Sequence, residues 1–231
     1  MLKKDNLPQS NLLEALGLKA VIFDVDGLIF DTEQLYLDVW PLVGEKMGLP
    51  ITVEMAFETA GWAAKESEEI FRKYLGESFC YQEAKKHMVP LLTQRILEEG
   101  MPFRPGAKEL IELLHSKGIP LGVGTSNIKE NVDKFFEAAG ILPFFTAIST
   151  VDLAGGKAKP APDIYALAAK MLGVLPGECL ALDDSPMGIE SAYLAGCVPI
   201  VIPDLLPPTE ETKKQAFMEV ESLEQLPALL F

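Results

Sequence analysis

Short runs of β-branched and aromatic residues alternate along this chain with segments of helical period, and that alternation limits the fold more than any other feature. Lys19 to Asp24 reads KAVIFD, apolar at consecutive positions as in a strand buried on both faces. Comparable runs recur at Pro120 to Gly124, Ala147 to Ser149, Cys179 to Leu182 and Pro199 to Ile202. Ala107 to Ser116, Lys129 to Ala139, Asp163 to Leu172 and Met187 to Ala195 have helical spacing, and Gly118, Gly140, Gly173 and Gly196 supply stop signals. Strands and helices in turn give an α/β fold, a Rossmann-like parallel sheet core with helices on both faces.

The segment from Thr32 to Phe103 breaks this rhythm. It is helix-rich and holds no convincing strand. Thr32 is expected to cap a helix through Glu33 and Trp40 toward Met47, bent at Pro41. Two further helices bracket Gly61-Trp62, and a longer one runs from Tyr81 to Glu99, disturbed at Pro90. The Arg104-Pro105-Gly106 turn restores the α/β pattern. The expected division is an α/β catalytic core of residues 1–31 and 104–231 and an inserted helical cap of residues 32–103, with hinges near Asp31-Thr32 and Phe103-Pro105. Ligands of open α/β sheets bind beyond the carboxyl ends of the strands, and an insertion leaving the first strand is expected to sit there as a lid.

Charge narrows the function classes. A formal net charge of -14 disfavours nucleic acid and anionic membranes as partners, and it obliges any phosphate site to carry local cations. Cys80, Cys179 and Cys197 are far apart, odd in number and without a CxxC motif, so buried reduced thiols in the cytoplasm are expected. The N-terminal residues carry lysines without an apolar run behind them, and no stretch is long and apolar enough to span a membrane.

Four polar clusters fall at strand ends. In Asp24-Val25-Asp26-Gly27 the two carboxylates, two residues apart in an extended segment, face one side, and such a pair suits a hard divalent cation. A plain Asp-Gly turn has the same signature. Gly124-Thr125-Ser126-Asn127 offers hydroxyls and amides for phosphate oxygens, or an ordinary helix cap. A dinucleotide fingerprint is discarded, because Asn127 stands where its third glycine is needed. Lys159, in the Lys157-Ala-Lys159-Pro160-Ala161-Pro162-Asp163 loop, can neutralise a phosphate or point to solvent, with Asp163 as a helix cap. Asp183-Asp184 is either an exposed acidic turn or a buried pair that requires a cation. Together the four supply two carboxylate pairs, hydroxyls and a lysine on the edge where ligands bind.

FDVDG, GTSN, KPAPD and LDDSPMGIESA, in this order, resemble the four motifs of the haloacid dehalogenase superfamily. The resemblance runs from Lys19 to about Asp204 and is nearest to the capped subgroup of β-phosphoglucomutase, phosphoglycolate phosphatase and pseudouridine-5'-phosphatase. It implies a phosphoric monoester hydrolase, monomeric, acting on a small phosphorylated metabolite. By resemblance, Asp24 attacks phosphorus to form an aspartyl-phosphate. Asp26 protonates the leaving oxygen and then activates water. Thr125 and the Ser126 amide hold phosphoryl oxygens, with Asn127 beside them, and Lys159 balances charge. Magnesium is implied on Asp24, the Asp26 carbonyl and Asp184, with Asp183 assisting directly or through water.

Other activities are disfavoured by the same residues. Dehalogenases lack an acid/base aspartate in the place of Asp26. A phospho-aspartate signalling module would be about half the length and would have no use for Asp26. A phosphosugar mutase shares the core motifs but has a histidine four residues after the threonine and an arginine three after the cap-loop glycine. Those positions here are Tyr36 and Ala64. Hydrolysis is therefore expected, with Gly61, Trp62, Lys65 and Tyr36 as candidates for reading the leaving group.

Overall fold

A computed structural model describes residues 11–59, 64–205 and 207–231. The chain divides into two compact units, with boundaries between Phe30 and Asp31 and between Pro102 and Phe103.

The first unit is built on a six-stranded parallel sheet of order β3-β2-β1-β4-β5-β6. Its strands are β1 (Ala20–Phe23), β2 (Leu121–Thr125), β3 (Ala147–Thr150), β4 (Cys179–Asp183), β5 (Val198–Val201) and β6 (Met218–Glu219). The short helix α1 (Leu12–Ala15) precedes the sheet. The second unit supplies α2 (Thr32–Met47), α3 (Val53–Phe57), α4 (Ala64–Leu75) and α5 (Tyr81–Glu99). The first unit resumes with α6 (Ala107–Ser116), α7 (Lys129–Ala139), α8 (Asp163–Leu172), α9 (Pro186–Ala195), α10 (Glu210–Gln215) and α11 (Leu226–Leu230).

β1 is central and all four of its residues are buried, because both sheet faces are covered. Its side chains alternate. Ala20 and Ile22 join Tyr165, Ala168 and Ala169 of α8 and Ala192 of α9 in one core. Phe23 points the other way and meets Phe145 edge-on at 6.0 Å, and Phe145 in turn packs on Phe136 of α7 at 4.9 Å. Such edge and tilted ring pairs add to simple area burial.

β2 carries two glycines for a steric reason. A Cβ at Gly122 would lie 2.9 Å from Leu172 Cδ1, and one at Gly124 would lie 3.2 Å from Tyr165 Cε1. The missing side chains let α8 press onto the sheet. The start of α8 is further pinned by Ser149 Oγ donating to the Ile164 carbonyl (2.8 Å) and Ser191 Oγ donating to the Ala161 carbonyl (2.6 Å).

The second unit, among its described residues, is helical without a strand. α2 packs on α5, and Trp40, Phe71, Phe79 and Tyr81 form its aromatic core, with ring centroids 4.5 Å apart for Trp40 and Phe71. Helices α2 and α5 run through Pro41 and Pro90.

Two cap assignments are corrected. Thr32 is the first residue inside α2, not its cap; Asp31 takes that place, and the buried Thr32 hydroxyl has no hydrogen-bond partner among the described residues. Asp163 likewise lies inside α8, after Pro162, and pairs with Lys157 at 3.1 Å. The expectation of buried thiols fits Cys179 and Cys197, whereas Cys80 is half-buried. No helix among the described residues is long and apolar enough to cross a membrane.

Candidate active site

The site forms where four adjacent strands end. Because β1 and β4 pair in register with Phe23 beside Leu182, the next residues, Asp24 and Asp183, emerge side by side. The Asp24 amide donates to the Leu182 carbonyl at 2.9 Å, which carries the pairing to the last rung. Thr125 closes β2, and the loop after β3 brings in Lys159. Each polar group thus leaves a hydrophobic strand at the carboxyl edge of the sheet.

Lys159 ties the cluster together. Its ammonium donates to Asp24 Oδ1 at 2.5 Å and to Asp183 Oδ2 at 2.7 Å. Its side chain is 6% exposed, which removes the solvated alternative. The Lys159 backbone amide donates to Ser126 Oγ at 3.2 Å, so two of the sequence clusters are joined directly.

Asp183 is fully buried and its oxygens are well supplied with donors. Oδ2 accepts from Lys159 and from the Tyr165 hydroxyl at 2.5 Å; Oδ1 accepts from the Ser185 amide at 3.0 Å and Ser185 Oγ at 2.8 Å. Asp184 is half-buried beside it, and the exposed-turn alternative for this pair is removed as well. Gly27, at φ +83°, serves two purposes: it turns the chain after Asp26, and a Cβ there would fall 2.5 Å from Asp184 Oδ2. The glycine of the first cluster therefore makes room for a carboxylate of the fourth.

Asp26 is held from the second cluster. Asn127 Nδ2 donates to Asp26 Oδ2 at 3.2 Å, while Asn127 Oδ1 accepts from Asn131 Nδ2 at 2.9 Å. Buried Thr125 uses Oγ1 to accept from the Asn127 amide at 3.0 Å, and Ser126 is exposed. Lys65 is exposed on α4 and Tyr36 is exposed on α2, both in the second unit. Gly61 and Trp62 lie outside the described residues.

The electrostatics of this cluster are unbalanced. Carboxylate oxygens of Asp24, Asp183 and Asp184 lie within 4.8 Å of one another. One ammonium against these three carboxylates leaves two negative charges uncompensated. Burial pushes Asp24 up to about 7, and the nearby charges of Asp183 and Asp26 add to this against the opposing pull of Lys159. Asp184 is raised well above the ordinary range by burial and then by Asp183 and Asp24. For Lys159, burial alone would lower the pKa, but the Asp183 and Asp24 carboxylates outweigh it and hold the ammonium firmly protonated. The two directions agree: the lysine has more negative charge around it than it can neutralise. A cluster of this composition could hold a hard divalent cation on its oxygen donors.

The family model for haloacid dehalogenase-like hydrolases matches residues 18–196, a span that contains every residue of this cluster. The chain belongs to that family. Its relatives include a phosphorylated carbohydrates phosphatase of Thermotoga maritima, 30% identical over 179 residues that cover 78% of this chain and 82% of that protein. A β-phosphoglucomutase of Bacillus subtilis is 31% identical over 188 residues, covering 78% and 80% of the two chains. The crystal structure of CbbY from Rhodobacter sphaeroides in complex with phosphate superposes with a TM-score of 0.70 at 26% identity, across 93% of this chain and all of that one. Family and phosphatase relatives together make the chain a phosphoric monoester hydrolase.

Sequence reasoning passed over three contributors. Tyr165 has the spacing of a core residue on α8, although a buried tyrosine hydroxyl needs a partner. Ser185 stands in the LDDSPMGIESA motif without a role of its own; it caps α9, accepting from the Gly188 amide at 3.0 Å, and holds Asp183. Gly188 gives no signal except its lack of a side chain.

Proposed function

We propose that this protein hydrolyses a small phosphate monoester, of the sugar-phosphate kind, with magnesium and a covalent aspartyl-phosphate on Asp24. The observation that carries this reading is the buried cluster in which one lysine, ion-paired to Asp24 and Asp183, faces the three carboxylates of Asp24, Asp183 and Asp184, which can be ionised together only with a further cation. Asp24, Asp184 and the Asp26 carbonyl would hold the magnesium ion, with Asp183 beside them. When bound, the ion supplies positive charge to a phosphoryl group and to the carboxylates around it.

Asp24 attacks phosphorus; the Asp24 oxygen–phosphorus bond forms as the bond to the ester oxygen breaks. Asp26 gives its proton to that oxygen, and the alcohol leaves. Asp26, now a carboxylate, takes a proton from water; the water oxygen attacks phosphorus, and Asp24 is released with inorganic phosphate. Lys159, bonded to Asp24 Oδ1, favours the ionised nucleophile against its burial and leaves Oδ2 for attack. Thr125 and Ser126 bind phosphoryl oxygens, and Asn127 orients Asp26. Removal of one such electrostatic group typically costs about 3 kcal/mol in the barrier. We assign choice of leaving group to residues 32–103, with Lys65, Gly61 and Trp62 as its candidates.

The test is turnover of an aryl phosphate with and without magnesium. Activity lost to chelation, restored by magnesium and abolished in Asp24→Asn supports the reading. Wild-type turnover in Asp24→Asn would remove the nucleophile. A panel of sugar phosphates, nucleotides and phosphoglycolate, repeated with Lys65→Ala, then ranks the leaving groups.

A further inference from the structure

Lys159 cannot act on Asp24 unless something fixes the position of its ammonium, and the described residues show what does. Beyond Asp24, the ammonium touches Asp183 Oδ2 at 2.7 Å and Tyr165, whose hydroxyl is 3.4 Å away and whose ring centroid is 4.9 Å away. Tyr165 is wholly buried in the core formed with Ala20, Ile22 and Ala168. A phenylalanine would fill that space equally well. The hydroxyl is used instead, donating at 2.5 Å to the same Asp183 oxygen that receives Lys159. Two donors on Oδ2 and the two from Ser185 on Oδ1 leave the Asp183 carboxylate a single orientation.

The ring is itself seated. Gly124 of β2 leaves the space the ring occupies, since a Cβ there would approach Tyr165 Cε1 to 3.2 Å and Cδ1 to 3.3 Å. The bonds of Ser149 and Ser191 to the backbone at either side of the α8 start fix the helix that carries it.

We infer that Tyr165 is a positioning residue of this active site: by holding Asp183, it fixes the Lys159 ammonium against the nucleophile Asp24. The inference rests on the hydrolytic reading above. A hydrogen bond to a charged group is among the stronger kinds, and misplacing a catalytic ammonium by a fraction of an ångström is felt in the transition state more than in ground-state binding. The Tyr165 hydroxyl bonds Asp183 and lies beside Lys159, groups that act on the nucleophile, so its effect is expected on the rate of phosphoryl transfer and not on substrate affinity.

The experiment compares wild type, Tyr165→Phe and Tyr165→Met with an aryl phosphate at saturating magnesium, in steady state and by rapid quench of the phosphoenzyme. Phenylalanine removes one oxygen from a closed core, so the fold is retained, and a melting curve checks this. Tyr165→Phe is expected to lower kcat and the rate constant of Asp24 phosphorylation by about 10-fold with KM unchanged. Tyr165→Met, which also loses the ring beneath the ammonium, is expected to fall further. A merely structural role would reduce the amount of active protein and leave the rate constant per phosphorylatable site intact; that result would overturn the inference, as would full kcat in Tyr165→Phe. Absence of magnesium-dependent turnover in the wild type would overturn the hydrolytic reading itself, and this inference with it.

Discussion

Gly188, in the first turn of α9, lies against the carboxylate of Asp183 so closely that a Cβ would fall 1.9 Å from Oδ1. No side chain fits there, and nothing in the local helix requires glycine. The constraint comes from Asp183, which needs that space to reach Ser185 and Lys159 together. Gly188→Ala is expected to push Asp183 off its donors, at a cost of about 1–3 kcal/mol typical of overpacking, with a loss of turnover of at least tenfold. Melting temperature and aryl phosphatase activity check it. An alanine variant with normal activity would show that Asp183 has freedom to move.

The excess of buried carboxylate predicts how stability depends on pH. Asp24, at about 7, and Asp184, also raised, keep protons in the folded state that the unfolded chain releases near the ordinary carboxylate value. The Asp24 contribution is full at low pH and is lost as pH rises from about 4 through about 7, and that of Asp184 is lost in the same direction. Lys159, raised above its ordinary value, is protonated in both states across that window and adds no slope. Metal-free protein is therefore expected to melt several degrees lower at about pH 8 than at about pH 5. Magnesium, which competes with those protons, should raise the melting temperature more at the higher pH. Asp184→Asn should flatten the pH dependence and weaken the magnesium response. Equal melting temperatures at both pH values without metal would contradict the buried-charge account.

On the proposed mechanism, substitution of Asp26 separates the two halves of the reaction. With an aryl phosphate the leaving group needs little protonation, so Asp26→Asn should still phosphorylate Asp24. Hydrolysis of the phosphoenzyme should slow by about 10²–10⁴-fold. Acid-stable labelling of the protein by radioactive substrate measures this, and an unlabelled Asp26→Asn protein would place the acid/base function elsewhere.

A mutase must hold a second phosphate while the intermediate turns over, and bidentate arginine is the usual grip for such a group. The position that would carry it is Ala64, exposed at the start of α4. Given β-glucose 1-phosphate and a bisphosphate primer, the protein is expected to release inorganic phosphate faster than it forms glucose 6-phosphate. The reverse ratio would make it a mutase.

The sequence by itself determined the parallel α/β core and the strand ends at which the polar clusters fall. Runs such as AVIF can be satisfied only by burial on both faces, and the alternation of extended residues gave the expectation that Asp24 and Asp26 face one way. It could not separate an acidic surface turn at Asp183-Asp184 from a buried pair, or a solvated Lys159 from an ion-paired one. Those choices depend on strand pairing: only when Phe23 lies beside Leu182 do Asp24 and Asp183 meet across one lysine. β6, two residues long, has too little pattern to be read and exists because it pairs with β5. Tyr165 was hidden because helical period reports which face is buried, not what a buried hydroxyl touches. The packing roles of Gly27, Gly124 and Gly188 were hidden for a related reason. Each makes room for a side chain distant along the chain or a turn away, Asp184, Tyr165 and Asp183 respectively, and the need for that room arises only once the sheet has brought those partners together.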